Sequence, residues 1–252
     1  MKEFVAWLFS EYNSSLQINL LDKWHFLYLF VILAAALVLS LIFSKKSLAS
    51  KNRVLRLFAY LTIGIYIADF FIMPLSDSYG HIGIDKLPYH ICTLVSVMAA
   101  FVQFNPRLKA IKTPVVTLAV TSSIMWMCYP GSALGGQPPF CYRTFQTFMF
   151  HGLLFIWAVL NLSLGEVRLK LREIWKEFVG ILIIFVWACF GNAVYPGPQN
   201  WFFINGVLFD FIPVEAMPIA VIVSVFLACL VIYGIYFAFC AIASKKQKPH
   251  LV

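Results

Sequence analysis

Long apolar runs separated by short polar segments dominate the pattern along the chain. A transmembrane helix needs about 20 mostly apolar residues. By that measure the pattern predicts seven membrane-spanning helices, at roughly 24–43, 54–75, 87–104, 113–129, 145–162, 178–195 and 217–243. We therefore expect an all-α, polytopic membrane protein that forms a single membrane domain over residues 1–252.

The first 20 residues stand apart from these runs. Phe4, Trp7, Leu8 and Tyr12 fall on one face of a helix, and acidic residues interrupt the stretch. Such a face is typical of a segment that lies in the membrane interface, whereas a cleaved signal peptide is less acidic. We expect residues 1–20 to lie along the outer surface of the membrane.

Composition and charge support the membrane class and orient the chain. Hydrophobic residues make up 62% of the sequence and charged residues only 12%, which is too apolar for a soluble domain. Lys and Arg concentrate after the first, third and fifth predicted spans and in the tail. Cytoplasmic loops retain basic residues, so the amino terminus is expected outside and the carboxyl terminus in the cytoplasm. The net charge of +8 then matches anionic inner-leaflet lipid, and we expect a multi-pass protein of the cell membrane with no nucleic-acid partner.

Ionisable residues inside the predicted spans are few, and such residues usually mark function because lipid disfavours them. Cys92 and His151 lie roughly 8–12 Å below the outer surface when depth is counted along a helix, and Asp69 lies in the same layer. No comparable group is expected in the inner half of the membrane. Asp69 needs a partner, and His151 or His90 is the expected one.

A thiol beside an imidazole can perform covalent acyl transfer. His151 would take the proton of Cys92, and the thiolate would attack an ester carbonyl in the outer leaflet. This requires the third and fifth spans to be neighbours. Each residue also has a structural interpretation, since buried cysteine is often a small hydrophobe and a buried histidine can join two helices by a hydrogen bond.

Other polar residues near the outer surface have supporting roles in this hypothesis. Arg143, Gln146 and Asn192 could hold a phosphate or stabilise an oxyanion, although Arg143 is equally compatible with an interfacial position. Cys128 and Cys141 flank a Pro/Gly-rich loop, and two free thiols are favoured over a disulfide. Metal-ligand spacing and a nucleotide-binding loop are both missing from the sequence, so no cofactor and no metal are expected.

Two short motifs in the sequence are similar to those of a known protein family. Pro88, His90 and Cys92 form a Pro-x-His-x-Cys run at the start of the third span, and His151 is followed by Gly152, with 59 positions between thiol and imidazole. In these motifs the chain resembles the transmembrane protein 164 family and its bacterial relatives, the YwaF-like integral membrane proteins. The resemblance extends over most of the predicted spans, including the region 192–195.

The resemblance implies a seven-helix bundle and an activity. The cysteine would accept an acyl chain as a thioester, the histidine would activate it, and the acyl group would pass between lipids, with a phospholipid or other acyl lipid as substrate. The alternative is a seven-helix transporter, or a protein that binds a lipid or small molecule in a cavity lined by the buried Asp, His and Asn residues. Loss of activity on replacing Cys92 would separate the two.

Overall fold

The computed structural model describes residues 17–75, 87–130, 137–195, 200–204 and 212–246. These residues are helical along most of their length, without β-strands in the described ranges. The helices are α1 (Lys23–Ser44), α2 (Leu48–Ile72), α3 (Ile91–Phe104), α4 (Lys109–Cys128), α5 (Tyr142–Ser163), α6 (Trp175–Val194) and α7 (Met217–Lys246). Six of them are long and apolar enough to cross a membrane, and α3 is a shorter apolar helix. The prediction of an all-α, multi-pass membrane protein is confirmed.

The apolar side chains point outward as well as inward. On α1, Phe30, Leu37 and Leu41 are each more than 60% exposed, and α7 presents Ile219 and Phe239 in the same way. A water-soluble protein rarely exposes contiguous apolar surface of this kind. The outer face of the bundle is therefore suited to contact with lipid chains.

Helix α5 is the central helix of the bundle. It packs against α1, α2 and α4, and most of its residues are buried. It ends where Gly165 takes a positive φ of 79°, which glycine adopts without steric cost. Because α5 carries His151, the environment of this side chain is protein on several sides.

Helix α3 begins later than the sequence predicts. The predicted span starts at residue 87, but the helix starts at Ile91. Pro88 disfavours helical geometry at the residue before it, and the Tyr89 N–H bonds the Leu87 carbonyl at 2.8 Å in a tight turn. Cys92 therefore lies in the first turn of α3 rather than five residues along a helix.

The interfacial segment predicted for residues 1–20 lies mostly outside the described residues. Its last part is described, and there Ile18 is fully buried. The Ile18 N–H bonds the Gln137 carbonyl at 3.0 Å. The chain just before α1 is thus attached to the segment that precedes α5.

Contacts between helix termini define two ends of the bundle. At one end, here called the Cys92 end, the start of α1 meets the end of α4 through His25 and Met127, and the end of α2 meets the start of α5. Toward the opposite end, here called the Glu177 end, Thr117 in the first half of α4 meets Glu177 near the start of α6. The basic segments that follow α1, α3 and α5 all adjoin the Glu177 end.

Candidate functional site

His151 lies inside the bundle with one ring nitrogen in use and one free. Its Nδ1 is 2.8 Å from the Thr147 carbonyl oxygen. Since a carbonyl can only accept, Nδ1 carries the proton, and in the neutral ring Nε2 then holds the lone pair. Nε2 is buried and has no hydrogen-bond partner. The ring also stacks on Trp126, with centroids 3.9 Å apart.

His25, at the same end of the bundle, shows a different pattern. Its Nδ1 accepts from the Leu21 N–H at 3.0 Å, and its Nε2 donates to the Met127 carbonyl at 2.7 Å. Both ring nitrogens of His25 are therefore in use, one for the segment just before α1 and one for the attachment of α1 to α4. The unused lone pair distinguishes His151 from this structural histidine.

Cys92 is a free, partly buried thiol near the residues that surround His151. Tyr66 of α2 lies within electrostatic range of both Cys92 and Asp69, and its ring is 6.0 Å from that of Phe150. His90, the N-cap residue of α3, lies within electrostatic range of His151. Because Nε2 of His151 has no partner, the thiol and the imidazole are not hydrogen-bonded in this structure.

The expected contact between the third and fifth spans is mediated by other helices. Helix α3 packs mainly against α2 and α4, and these same two helices flank α5. A direct link is the hydrogen bond from Trp157 Nε1 on α5 to Gln103 Oε1 on α3, at 3.1 Å, which lies toward the Glu177 end. The two helices are thus held in one cluster without extensive packing between them.

Asp69 bonds Tyr142 rather than His151. The Tyr142 hydroxyl donates to Asp69 Oδ1 at 3.2 Å, and the carboxyl is almost fully buried. The expected pairing with His151 is not formed, because Nδ1 of that ring bonds the Thr147 carbonyl and Nε2 has no hydrogen-bond partner. Asp69 therefore joins α2 to α5 without orienting the imidazole.

Arg143 and Gln146 lie in the first turns of α5. Arg143 is half-buried, and its Nη1 is buried without a hydrogen-bond partner. Gln146 is buried, and its Oε1 accepts from the Thr147 hydroxyl at 3.2 Å. The guanidinium thus retains a buried donor that an anionic group could use.

Asn192 has a structural role that sequence reasoning did not predict. Its Nδ2 donates to the Trp201 carbonyl at 3.0 Å, and its Oδ1 accepts from the Trp201 N–H at 3.2 Å. Trp201 in turn packs on Tyr89, with ring centroids 4.8 Å apart. Asn192 therefore supports the segment that leads to Cys92, and this contact uses its carbonyl oxygen and one of its two amide N–H donors.

Two further predictions concern cysteines and metals. Cys128 and Cys141 are both free, and the Cys141 sulfur accepts from the Thr144 N–H at the start of α5. Within the part of the chain that the structure describes, His, Cys, Asp and Glu side chains form no group of three that could hold a metal ion.

The buried carboxyl of Glu177 is a feature that the sequence did not predict. It is fully buried, its Oε1 accepts from the Tyr233 hydroxyl at 2.7 Å, and its Oε2 has no partner. A further buried ionisable group therefore lies toward the end of the bundle opposite Cys92. The signal was present, because Glu177 shares a helical stripe with the buried Ile181, Ile184 and Ala188.

Comparisons with known proteins bear out the family resemblance of the sequence. No curated protein sequence and no solved structure matches the chain. The sequence model of the TMEM164 family matches residues 20–236, which includes every helix carrying a residue of the site. The protein belongs to the TMEM164 family.

Proposed function

We propose that this protein is a membrane acyltransferase that moves an acyl chain between lipids through a thioester on Cys92, with His151 as the base. One observation carries the proposal. The bond to the Thr147 carbonyl fixes the proton on Nδ1, and the lone pair on Nε2 is left buried and unused. A buried polar atom without a partner is costly, and in an enzyme it is the atom expected to meet a substrate or a reacting thiol.

The proposal includes seven spans in the cell membrane, with the amino terminus outside. Basic residues adjoin the Glu177 end, which supports a cytoplasmic position for that end. Helix α3 has 14 residues, a length of about 21 Å, and is shorter than the hydrocarbon core of about 30 Å. Non-helical backbone at membrane depth is tolerated where protein buries it, and Tyr89 is buried. Cys92 would then lie near the ester groups of the outer leaflet.

In the first half-reaction the acyl chain moves to the protein. Nε2 of His151 takes the proton of the Cys92 thiol, and the thiolate adds to the ester carbonyl of a phospholipid. The tetrahedral intermediate collapses with cleavage of the ester C–O bond. The imidazolium returns its proton to the departing oxygen, which leaves as the hydroxyl of a lysolipid. The product is a Cys92 thioester and neutral His151.

In the second half-reaction the acyl chain leaves the protein. The hydroxyl of an acceptor lipid gives its proton to His151 Nε2, and its oxygen adds to the thioester carbonyl. The C–S bond breaks, and the thiolate recovers the proton from the imidazolium. The acceptor carries a new ester, and Cys92 and His151 return to their starting forms. The indole of Trp126 against the ring favours the transient imidazolium by a cation–π interaction.

Arg143 is suited to hold the head group of the substrate. Its Nη1 is buried without a partner, and an arginine forms charge-assisted hydrogen bonds with phosphate. It lies two turns before His151 on α5, or about 12 Å along the helix. A phosphate at Arg143 would leave the ester and acyl chain of the same lipid deeper in the bundle, toward His151.

The test measures the attachment of an acyl chain to Cys92 and its transfer between lipids. Purified protein in phosphatidylcholine vesicles should gain one acyl mass on Cys92, and hydroxylamine should remove it. Cys92→Ala should abolish the adduct and the transfer between lipids, whereas Cys189→Ala, which removes another partly buried thiol, should retain both. Acyl transfer that survives Cys92→Ala would overturn the proposal. Transport or binding of a lipid that proceeds equally in Cys92→Ala, with no adduct on the wild type, would establish the alternative function.

A further inference from the structure

Tyr66 lies on the face of α2 that points into the bundle. Buried positions recur along this helix every three or four residues, which marks a single helical face. They include Leu55, Ala59, Thr62, Tyr66 and Asp69. Helix α2 packs against both α3 and α5. Tyr66 therefore belongs to a helix that contacts both the helix of Cys92 and the helix of His151.

The thiol of Cys92 lies on the inward side of α3. Ser96 and Ala99 follow it by four and seven positions, so they share its side of the helix, and both are fully buried. Helix α3 packs against α2, and Tyr66 lies within electrostatic range of the Cys92 thiol and of the Asp69 carboxyl. The thiol and the phenol therefore lie close together at the contact between α2 and α3.

Aromatic contacts hold the ring of Tyr66 in place. The ring meets Phe70 edge to face, with 5.4 Å between centroids, and it lies 6.0 Å from the ring of Phe150. Phe150 in turn meets the imidazole of His151 edge to face at 5.0 Å. The phenol is thus fixed near both Cys92 and the residues around the proposed base.

The proposed reaction needs a hydrogen-bond donor beside the thiol. When a thiolate adds to an ester carbonyl, the carbonyl oxygen gains a negative charge, and a donor fixed at that position stabilises it. Of the donors expected from the sequence, Asn192 bonds the Trp201 backbone, and Arg143 lies two turns before His151 on α5. The phenol of Tyr66 supplies an O–H donor near the thiol.

We propose that Tyr66 is a further catalytic residue, whose hydroxyl donates a hydrogen bond to the oxyanion that forms when Cys92 attacks the ester. The inference rests on the proposed function. As the C–S bond forms, the electron pair of the carbonyl π bond moves onto the oxygen, and the phenol keeps its own proton. The pair returns to the C=O bond when the ester C–O bond breaks, and His151 protonates the departing oxygen. The same donor serves the second half-reaction, in which the thioester carbonyl develops the same charge.

Removal of the hydroxyl alone tests this role. In Tyr66→Phe, the rate of adduct formation on Cys92 with phosphatidylcholine should fall by about 10²–10³, the usual loss for one oxyanion donor. The lipid concentration at half-maximal rate should not change, because the oxyanion is absent from the bound substrate. Tyr60→Phe on the same helix, where the ring is 60% exposed, should keep the wild-type rate. Tyr233→Phe removes a buried phenolic hydroxyl at the Glu177 end and should lower stability without lowering the rate.

Alkylation of Cys92 by iodoacetamide distinguishes an oxyanion donor from a residue that only positions the thiol. The thiolate displaces iodide at a saturated carbon, and no oxyanion forms, so the alkylation rate of Cys92 should be equal in wild type and in Tyr66→Phe. Equal losses of alkylation and acylation would mean that Tyr66 positions the thiol, which would overturn the assignment as an oxyanion donor.

The remaining outcomes separate this inference from the proposed function. Wild-type acylation in Tyr66→Phe would overturn the inference and leave the proposed function intact, whereas a wild-type protein that never gains an adduct on Cys92 would overturn both. If Tyr66→Phe does not fold, a monofluorinated tyrosine at position 66 replaces it. Its hydroxyl is more acidic and donates a stronger hydrogen bond, so acylation at neutral pH should become faster, and an unchanged or slower rate would overturn the inference.

Discussion

The imidazole of His151 lies flat against the indole of Trp126, with 3.9 Å between ring centroids and 5° between ring planes. The stack fixes the plane of the imidazole, and the bond from Nδ1 to the Thr147 carbonyl fixes its rotation within that plane. Together these two contacts determine where the lone pair on Nε2 points. Trp126 belongs to α4 and His151 to α5, so the packing of these helices sets the direction of the base.

Removing the stack should slow the reaction without removing the base. In Trp126→Leu the ring of His151 loses an aromatic contact worth about 0.5–1.5 kcal/mol and gains freedom to turn. We expect the rate of adduct formation on Cys92 to fall by roughly tenfold. Trp24→Leu is the control, because Trp24 makes an edge contact with Phe140 and does not touch the imidazole. Equal rates in both variants would mean that the stack does not orient the base.

Replacing His151 by asparagine separates the structural role of Nδ1 from the catalytic role proposed for Nε2. The amide nitrogen of Asn can take the place of Nδ1 and donate to the Thr147 carbonyl, but nothing replaces the lone pair of Nε2. His151→Asn should therefore lose only about the 0.5–1.5 kcal/mol of the stack on Trp126, while adduct formation drops by about 10²–10⁴, the usual contribution of a general base. Thermal unfolding and the adduct assay measure the two effects separately.

His25→Asn is the matched control for this prediction. Asparagine cannot reach the Met127 carbonyl that the longer ring bonds at 2.7 Å. We expect a loss of stability of about 1–3 kcal/mol for the unpaired buried group and continued adduct formation by the folded fraction. If His25→Asn loses activity as completely as His151→Asn at equal folded fraction, the assignment of the base is wrong.

The bundle could be predicted from the sequence more fully than the start of α3. Backbone groups in lipid must bond within their own helix, so long apolar runs such as those of α1 and α7 leave little choice of structure. The start of α3 depends instead on Tyr89, which packs against Trp187 and Trp201. Those partners lie about a hundred positions later in the sequence, and no local sequence pattern indicates these contacts.

In the candidate site, too, some features could be predicted from the local sequence and others depend on packing between distant residues. Cys92 and His151 are conspicuous in the sequence because they are ionisable residues in apolar runs, and their catalytic roles stay predictions. The contact of Asp69 with Tyr142 could not be predicted, since Tyr142 belongs to another helix and its approach depends on how α2 packs on α5. Glu177 was missed because it precedes the predicted span by one position, although its helical stripe indicated burial.

A methyl group at Gly191 should disturb Cys92 from a distance. A Cβ at this position would lie 2.5 Å from ring carbons of Tyr89, and Trp187 and Trp201 pack on that ring with centroids 5.1 and 4.8 Å away. Gly191→Ala should cost about 1–3 kcal/mol of stability by overpacking and slow adduct formation on Cys92. Tyr89→Leu in the same chain should recover part of the stability by freeing the space.

Gly234→Ala provides the control for Gly191→Ala. Nothing lies within 4 Å of its Cβ position, so alanine should stabilise α7 by up to about 1 kcal/mol through helix propensity. Thermal unfolding in detergent and the adduct assay apply to all three variants. A Gly191→Ala protein with wild-type stability and activity would show that Tyr89 does not hold the segment before Cys92.

The carboxyl of Glu177 should stabilise the contact among α4, α6 and α7 through its oxygen rather than through its charge. Its Oε1 accepts from the Tyr233 hydroxyl at 2.7 Å, and Thr117 Oγ1 lies 3.3 Å from the same oxygen. Glu177→Gln keeps this acceptor and removes any buried charge, so we expect unchanged or higher thermal stability. Glu177→Ala leaves the Tyr233 hydroxyl without an acceptor and should cost about 1–3 kcal/mol.

Glu173→Ala is the control, because it removes only the partly exposed ion pairs with Lys170 and Lys176 and should change stability by less than about 1 kcal/mol. If Glu177→Gln is as destabilising as Glu177→Ala, the ionised carboxylate itself is required at the Glu177 end.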